Sequence, residues 1–251
     1  MKIKSVQKPE RKKLDFISVV LPCRNEKASI KKSILSIQQV FKTNHIQGEI
    51  IVSDSSSDGS FQIASSLGVK ILKHDEMGYG TACREGILGA SGKHIFLADP
   101  DGSYDFSDIP RFLDLLKTDY DFVIGNRLKG TIKKGAMDWK HRYIGNPLIS
   151  FMVRVLFNVG VGDVNCGMRA IKRTAYDKIS LNSKGFEFAP EMVIKAKLNA
   201  LKMTEIPITY YPRIGKSKLK TYSDGLMQII FISYLFFTYY KNRKSIVTSF
   251  P

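Results

Sequence analysis

Short apolar runs alternate with stretches of helical periodicity along most of the chain. Runs of about four to eight apolar residues between turn-forming residues indicate buried strands. These runs lie at 16–22, 49–53, 69–72, 95–98, 122–125 and 206–211, and a turn that leads into a further strand lies at 163–173. Between the runs, apolar residues recur every three or four positions, as they do from Ile30 to Phe41, which indicates helices. Alternating strands and helices predict βαβ crossovers and a mixed, mostly parallel sheet flanked by helices.

The same pattern predicts where strands end and where irregular segments begin. Pro22 is expected to end the first strand, because proline cannot donate to a sheet ladder. The segment 129–142 is rich in lysine and contains Trp139, so we expect a basic loop there, followed by an apolar helix over 148–157. A second basic loop is expected over 213–220.

The C-terminal stretch differs from the rest of the chain. Residues 226–240 carry no charge and crowd their aromatic residues at the far end, before a basic cluster at 241–244. A membrane span needs about 20 apolar residues, so this stretch is short for one. A helix at the membrane interface and a buried C-terminal helix both remain open. We therefore divide the chain into a basic tail (1–15), one catalytic domain (16–225) and a hydrophobic appendage (226–251).

Composition narrows the classes of partner and compartment. The 251 residues carry a net charge of +16, which predicts an anionic partner: nucleic acid, an acidic membrane surface or a phosphorylated substrate. Three widely spaced cysteines and four scattered histidines match neither a disulfide framework nor a zinc site. The basic N-terminus is not followed by the apolar segment of a signal peptide. We expect exposure to the cytoplasm.

Two carboxylates follow the apolar run 95–98 directly. In an extended segment Asp99 and Asp101 point the same way, and two like charges aimed at one point favour a cation between them. Mg²⁺ typically binds through one or two carboxylates together with substrate phosphates. Asp-Pro and Asp-Gly pairs are also ordinary turn formers, so the motif alone leaves a metal–diphosphate site and a polar turn both open.

Three polar loops, at 22–26, 53–58 and 99–103, each follow a predicted strand. In open α/β sheets ligands bind at the carboxyl ends of the strands, so these loops are expected to meet at one edge. Their convergence favours the metal–diphosphate interpretation.

The order of these motifs resembles that of family 2 glycosyltransferases with the GT-A fold. The motifs are Pro22-Cys23-Arg24-Asn25-Glu26, Asp54 with Asp58-Gly59-Ser60, Gly78-Tyr79-Gly80, and Asp99 with Asp101-Gly102. The second half is similar to polyprenyl-phosphate sugar synthases, the dolichol-phosphate mannose synthase group. Its motifs are Gly125-Asn126-Arg127, Trp139-Lys140-His141-Arg142, Asp163 with Cys166-Gly167-Met168-Arg169-Ala170, and Arg213 with Gly215-Lys216-Ser217-Lys218-Leu219.

This resemblance implies transfer of one sugar, with inversion, from a nucleotide sugar to a dolichyl or undecaprenyl phosphate at the cytoplasmic face of a membrane. The implied donor-nucleotide residues are Pro22, Asn25, Glu26, Asp54, Gly78 and Gly80. The implied ligands of Mg²⁺ or Mn²⁺ are Asp99 and Asp101. The implied acceptor-phosphate residues are Arg127, Arg142 and Asn146, and those of a loop over the diphosphate are Arg213, Ser217 and Lys218. Together, Asp99, Asp101, Arg127 and Arg142 would form the catalytic set.

Departures from the family pattern leave some questions open. Ser53 stands where many relatives carry an aspartate, Pro100 replaces a small residue, and Cys23 replaces an aromatic residue or alanine. GDP-mannose, UDP-glucose and UDP-N-acetylhexosamine all remain candidate donors. The expected partners are the donor, the lipid acceptor and an anionic membrane surface, with a membrane protein or a second copy of the chain as further candidates. A polysaccharide or protein acceptor is the enzymatic alternative. A basic nucleic-acid-binding module is the non-enzymatic one, although no nucleic-acid-binding motif is present and nucleic acid is not expected as a partner.

Overall fold

The structure is a computed structural model that describes residues 16–215, 217–218 and 221–247, with side chains for all of these except Thr221 and 241–247. The expected basic tail at 1–15 lies outside the described residues. The strands are β1 (Ile17–Cys23), β2 (Gly48–Asp54), β3 (Lys70–Lys73), β4 (His94–Leu97), β5 (Phe122–Ile132), β6 (Arg169–Lys172) and β7 (Met203–Tyr210). The helices are α1 (Ile30–Thr43), α2 (Ser60–Ser66), α3 (Tyr79–Leu88), α4 (Ile109–Leu116), α5 (Asn146–Phe157), α6 (Arg173–Tyr176), α7 (Phe188–Leu198) and α8 (Thr221–Val247).

Within these described ranges, seven strands form one sheet in the order β3-β2-β1-β4-β6-β5-β7. Strands β1 to β4 pair in parallel, β6 is antiparallel to β4 and β5, and β7 is parallel to β5. The predicted mixed, mostly parallel α/β sheet is confirmed. Its topology brings the ends of β1, β2 and β4 to one edge, which is where the polar loops lie.

The apolar residues that recur at helical spacing in the sequence are buried in the core. Ile30, Ile34 and Ile37 form the face of α1 that is fully buried against the sheet, and β4 is buried along its whole length. Burial of each such side chain contributes about 1.5–3 kcal/mol. Helices on both faces of a sheet are the arrangement that parallel strands require.

Pro22 does not end β1; it pairs with Ser53 inside the β1–β2 ladder. The pairing of β1 with β4 stops earlier, at Val20 and Leu97. Pro22 therefore lies where β1 has no neighbour on its β4 side, and a missing N–H is tolerated at such an edge position.

The basic loop predicted for 129–142 is partly wrong. Strand β5 continues to Ile132 after a register shift between Asn126 and Thr131, because β7 pairs with it along this stretch. The lysine content of this segment does not prevent strand formation, because the side chain of Lys129 remains exposed and pairs with Glu205 while the backbone joins the sheet. A π-helical turn at 141–145 then leads into α5, which begins two residues before the predicted helix.

Helix α8 packs against the domain along one side and is exposed along the other, and its association with a membrane stays a prediction. It begins at Thr221, before the predicted boundary of the appendage. Gln228 and Ile232 are buried, and Phe236 packs edge-on against Phe157 of α5 with 5.9 Å between ring centroids. Its other side exposes large apolar residues, Leu226, Ile230, Tyr234 and Phe237 among them. None of the helices in the described ranges combines the length and the hydropathy needed to cross a bilayer.

Candidate active site

The acid pair lies at the tip of β4, where the chain turns out of the sheet. Ser33 donates its hydroxyl to the carbonyl of Pro100 at 2.9 Å, and the N–H of Ile214 donates to the carbonyl of Asp101 at 2.7 Å. Gly102 has φ +81°, a conformation that favours glycine and lets the chain reverse. The N–H of Ser103 donates to Oδ1 of Asp101 at 2.9 Å, so this carboxylate is held in one orientation.

The environment of the pair disfavours two negative charges. Burial, with a further contribution from the charge of Asp101, raises the pKa of Asp99 to about 7. A hydrogen bond from Tyr79 and the charge of Arg213 act in the opposite direction. A Cβ on Gly167 would lie 2.5 Å from Oδ2 of Asp99, so only glycine lets the neighbouring loop approach this carboxylate.

The second basic loop, which is described at 213–215 and 217–218, places Arg213 beside the acid pair; residues 216, 219 and 220 of the predicted loop lie outside the described residues. Nη1 of Arg213 is 3.4 Å from Oδ2 of Asp101, and its Nη2 is 2.9 Å from Oε1 of Glu26. Lys218 pairs with the same Glu26 oxygen. Arg213 thus supplies, in this conformation, part of the positive charge that the acid pair requires.

The donor atoms fit a divalent cation bound jointly with a substrate. Within the described residues there is no group of three or more His, Cys, Asp or Glu that could hold a metal ion. Asp99 and Asp101 are the residues that could hold such a cation, and diphosphate and water oxygens would complete the shell, as is usual for Mg²⁺.

The loops after β1 and β2 meet beside this pair, as predicted. Asn25 has φ 55°, and its backbone N–H donates to the hydroxyl of Ser56 at 2.8 Å. Its Oδ1 accepts from the N–H of Ser57 at 2.8 Å. Asp54 is fully buried at the tip of β2, and neither of its carboxylate oxygens has a hydrogen-bond partner in the described part of the chain. Because such a group is unfavourable when unpaired, Asp54 is a strong candidate for ligand contact.

Gly78 and Gly80 approach the chain's own backbone. A Cβ on Gly78 would lie 2.2 Å from the carbonyl oxygen of Lys184, and one on Gly80 would lie 2.3 Å from that of Ser183. Both glycines therefore approach the backbone at Ser183 and Lys184, and their contact with the donor nucleotide stays a prediction. Tyr79, between the two glycines, lines the main cavity.

A cavity of about 1080 Å³ is lined by the acid pair and by Arg213 of the second basic loop. Other walls come from the segment before the π-helical turn, the turn itself, α5 and the start of α8. The apolar residues of these walls are Met137, Trp139, Ile144, Ile149, Leu226 and Ile229. One cavity thus contains both the acid pair and a group of apolar side chains.

Arg127 lines this cavity but is engaged in a buried ion pair. Its backbone N–H and Nε donate to Oδ2 of Asp163 at 3.0 and 2.8 Å, and Nη2 donates to Oδ1 at 2.8 Å. Both side chains are buried. Burial is the strongest single influence on the pKa of Arg127 and lowers it, but the charge of Asp163 and its hydrogen bonds, with smaller contributions from Tyr104 and Cys166, together raise that pKa above its ordinary value. Nη1 is the guanidinium nitrogen that these bonds leave for a ligand.

The other two predicted acceptor residues are separated by the structure. Asn146 is buried and lines the cavity. Arg142 does not line it, and its guanidinium lies 5.3 Å from the centroid of the Tyr143 ring. His141 lines the cavity instead, with a buried Nε2 that has no partner among the described residues.

Comparison with known families identifies the chain. The family model described as glycosyl transferase family 2 matches residues 18–180. The chain is a family 2 glycosyltransferase.

Curated relatives agree with this family. The low-salt glycan biosynthesis hexosyltransferase Agl6 of Haloferax volcanii is 36% identical over 86% of this glycosyltransferase and 52% of its own length. Glycosyltransferase AglJ of the same organism is 28% identical over 79% of the chain and 64% of its own length. The chain therefore spans about half to two thirds of these relatives. A dolichyl-phosphate hexose transferase, also from H. volcanii, is 27% identical over 84% of the chain and 90% of its own length.

Solved structures share the fold at low identity. Glucosyl-3-phosphoglycerate synthase from Mycobacterium tuberculosis, crystallised with Mn²⁺, UDP and glucosyl-3-phosphoglycerate, has a TM-score of 0.64 at 20% identity, covering 82% of this chain and 73% of that one. Mannosyl-3-phosphoglycerate synthase from Rubrobacter xylanophilus has a TM-score of 0.65 at 17% identity, covering 92% and 75%. The GT-A fold implied by the sequence motifs is confirmed.

Sequence reasoning about this glycosyltransferase missed several residues of the cavity. His141, Asn165 and Gln228 line it, yet each stands among residues with a stronger charge or apolar signal. Residues 141–145 form a π-helical turn, which has more residues per turn than an α-helix. The side chains that face the cavity here could therefore not be predicted from α-helical spacing in the sequence. Asp163 was noted only as part of a sequence motif. Its pairing with Arg127 was not predicted, because the two residues lie 36 positions apart.

Proposed function

We propose that this family 2 glycosyltransferase transfers a hexose, with inversion, from a nucleoside-diphosphate sugar to a polyprenyl phosphate at the cytoplasmic face of a membrane. The observation that carries the proposal is the cavity that joins the acid pair to the apolar walls of α5 and α8. A small soluble acceptor would not need an apolar wall of this kind, whereas a lipid phosphate presents both chemistries at once. The name of the dolichyl-phosphate hexose transferase relative supports the same acceptor class.

The donor would bind across the edge formed by β1, β2 and β4. Asp54, with its unpartnered carboxylate, would contact the base or ribose, and Pro22, Asn25 and Glu26 would line the nucleoside pocket. Asp99 and Asp101 would hold Mg²⁺ or Mn²⁺ on the diphosphate, where the cation stabilises the charge of the leaving group. Arg213, Ser217 and Lys218 would close over the diphosphate and add positive charge.

The nucleophile would be an oxygen of the acceptor phosphate, which is already anionic at neutral pH. This chemistry requires no general base. Nη1 of Arg127 and the amide of Asn146 would orient the phosphate from the cavity wall. Arg142 would join them by turning away from Tyr143, because a guanidinium pairs well with phosphate oxygens.

The exposed surface beside the cavity fits a lipid acceptor. Phe151 is 61% exposed on α5, Phe237 is 70% exposed on α8, and Trp139 is 59% exposed near the cavity entrance. Large exposed apolar patches mark interaction sites, and aromatic residues beside lysines suit a membrane interface. Each Lys or Arg near an anionic surface would add about 1 kcal/mol.

The test is a transfer assay with a panel of nucleotide sugars and polyprenyl phosphate, with and without Mn²⁺, followed by mass analysis of the lipid fraction. The proposal expects one hexosyl lipid phosphate, formed only with a divalent cation. A short-chain phosphate such as glycerol 3-phosphate serves as the competing acceptor. Efficient transfer to that acceptor, with none to the lipid, would refute the lipid assignment.

A further inference from the structure

An unpartnered hydrogen-bond acceptor lies in the wall of the cavity. Asn165 lines the cavity, and its Oδ1 is buried without a hydrogen-bond partner among the described residues. Its Nδ2 donates to Oε1 of Gln228 at 3.0 Å and, more weakly, to Oδ1 of Asn146 at 3.4 Å. A buried amide oxygen without a partner is unfavourable, so its presence in a cavity wall points to a group that donates to it when the cavity is filled.

The direction of this amide chain is set by a backbone carbonyl. Nε2 of Gln228 donates to the carbonyl oxygen of Phe186 at 3.0 Å, and a carbonyl can only accept. Oε1 of Gln228 therefore faces Asn165 and needs a donor, which must be Nδ2. The atom that remains, Oδ1 of Asn165, is an acceptor and would pair with a hydroxyl or an N–H of a ligand.

Asn165 lies two residues before Gly167, which is in close contact with the acid pair. A Cβ on Gly167 would lie 2.5 Å from Oδ2 of Asp99. Two residues of extended chain span at most ~7 Å, so the Cα of Asn165 lies within that distance of the Cα of Gly167. Asn165 also lines the same cavity as Asp99 and Asp101, the carboxylates that would hold the diphosphate to which the transferred sugar is attached.

We propose that Oδ1 of Asn165 accepts a hydrogen bond from a hydroxyl of the donor sugar and that this contact selects the hexose. The inference rests on the proposed function and names the residue that would read its donor. A phosphate monoester, largely ionised at neutral pH, offers few donors to such an oxygen, whereas each hexose offers several. Gln228 acts as a positioning residue, because it ties the orientation of Asn165 to helix α8.

The experiment combines a change in the protein with a change in the ligand. Calorimetric titrations with Mn²⁺ compare the wild type and Asn165→Ala for three ligands: the nucleotide sugar that is transferred, its single-deoxy analogues, and the nucleoside diphosphate alone. We expect Asn165→Ala to weaken binding of the sugar nucleotide about three- to tenfold, the value of one hydrogen bond, and to leave the nucleoside diphosphate unchanged. One deoxy analogue should bind the wild type as weakly as the parent sugar nucleotide binds Asn165→Ala. The affinity of that analogue should not change further in Asn165→Ala.

Two further variants keep the result interpretable. Asn44→Ala is the matched control, because the side-chain amide of Asn44 also donates a hydrogen bond, in this case to the carbonyl oxygen of Val40, but lies at the end of α1, at the opposite edge of the sheet. It should change none of the affinities. Gln228→Leu should produce a smaller loss for the same hydroxyl, together with a higher KM at similar kcat.

The outcomes separate this inference from the proposed function. Equal losses for the sugar nucleotide and the nucleoside diphosphate in both Asn165→Ala and Gln228→Leu would overturn the role of Asn165, even if transfer to the lipid occurs. The same conclusion follows if every deoxy analogue responds to Asn165→Ala as the parent sugar does. If the wild type binds nucleoside diphosphate but no nucleotide sugar, the proposed function itself fails.

Discussion

Replacing Arg127 separates a structural role from a role in acceptor binding. The backbone N–H, Nε and Nη2 of Arg127 donate to the carboxylate of Asp163, which is 0% exposed, at 3.0, 2.8 and 2.8 Å. Arg127→Ala would remove the two side-chain bonds and leave a buried carboxylate without a counter-ion, bonded only by the backbone N–H of residue 127. Breaking a buried pair in this way costs about 3–5 kcal/mol, so we expect the free energy of unfolding to fall by this amount in urea titrations.

The control is Arg111→Ala, since Arg111 pairs with Asp108 through a side chain that is 52% exposed. An exposed pair contributes about 0–1 kcal/mol. Replacing both partners, as in Arg127→Met with Asp163→Leu, should restore part of the stability that Arg127→Ala loses, because no charge is left unpaired. A loss below about 1 kcal/mol in Arg127→Ala would contradict the reasoning about the buried pair. In the folded fraction, the KM for the lipid should rise more than that for the donor; equal rises would contradict the proposed role of Nη1.

Three further predictions concern the acid pair and the membrane surface. The pKa of Asp99 is raised to about 7, so between about pH 4 and 7 the native state holds a proton that the unfolded state has lost. Without metal, the free energy of unfolding should therefore fall as the pH rises through this range. The affinity for Mn²⁺ should rise about tenfold per pH unit over the same range, because the metal displaces that proton; a flat profile in calorimetry would disprove this. Arg213→Ala should strengthen binding of Mn²⁺ alone, since it removes the cation beside Asp101, and weaken binding of nucleoside diphosphate with Mn²⁺. Lys218 contacts Glu26 instead of Asp101. Lys218→Ala should therefore weaken binding of nucleoside diphosphate with Mn²⁺ and leave binding of Mn²⁺ alone unchanged. Trp139→Ala should reduce sedimentation with anionic vesicles without altering donor binding, and unchanged sedimentation would remove Trp139 from the membrane surface.

The sequence predicted the edge of the sheet at which the polar loops meet, because local signals determine it. Apolar runs mark β1, β2 and β4, and a parallel sheet brings their carboxyl ends together whatever the rest of the chain does. The acid pair, Asp54 and Asn25 were found for this reason. Their contacts then follow from short loops, such as the hydrogen bond from Asn25 to Ser56.

The cavity walls around Arg127 and His141 were harder to predict because long-range packing determines them. The extension of β5 to Ile132 depends on pairing with β7, and the charge of Lys129 gave the opposite signal. The bidentate partner of Arg127 and the amide chain through Gln228 join segments far apart in sequence. The inward position of His141 depends on a π-helical turn, for which the sequence carries no simple signature.

The most direct test of the central claim is hexose transfer to polyprenyl phosphate by the wild type and by Asp101→Ala, measured by mass analysis of the lipid with Mn²⁺ present. Asp101 is buried and held by Ser103 and Arg213, so Asp101→Asn serves as a second variant of nearly unchanged shape. If the acid pair holds the cation on the donor diphosphate, the wild type forms the hexosyl lipid and both variants lose it while remaining folded. Near-normal product from either variant would contradict the account.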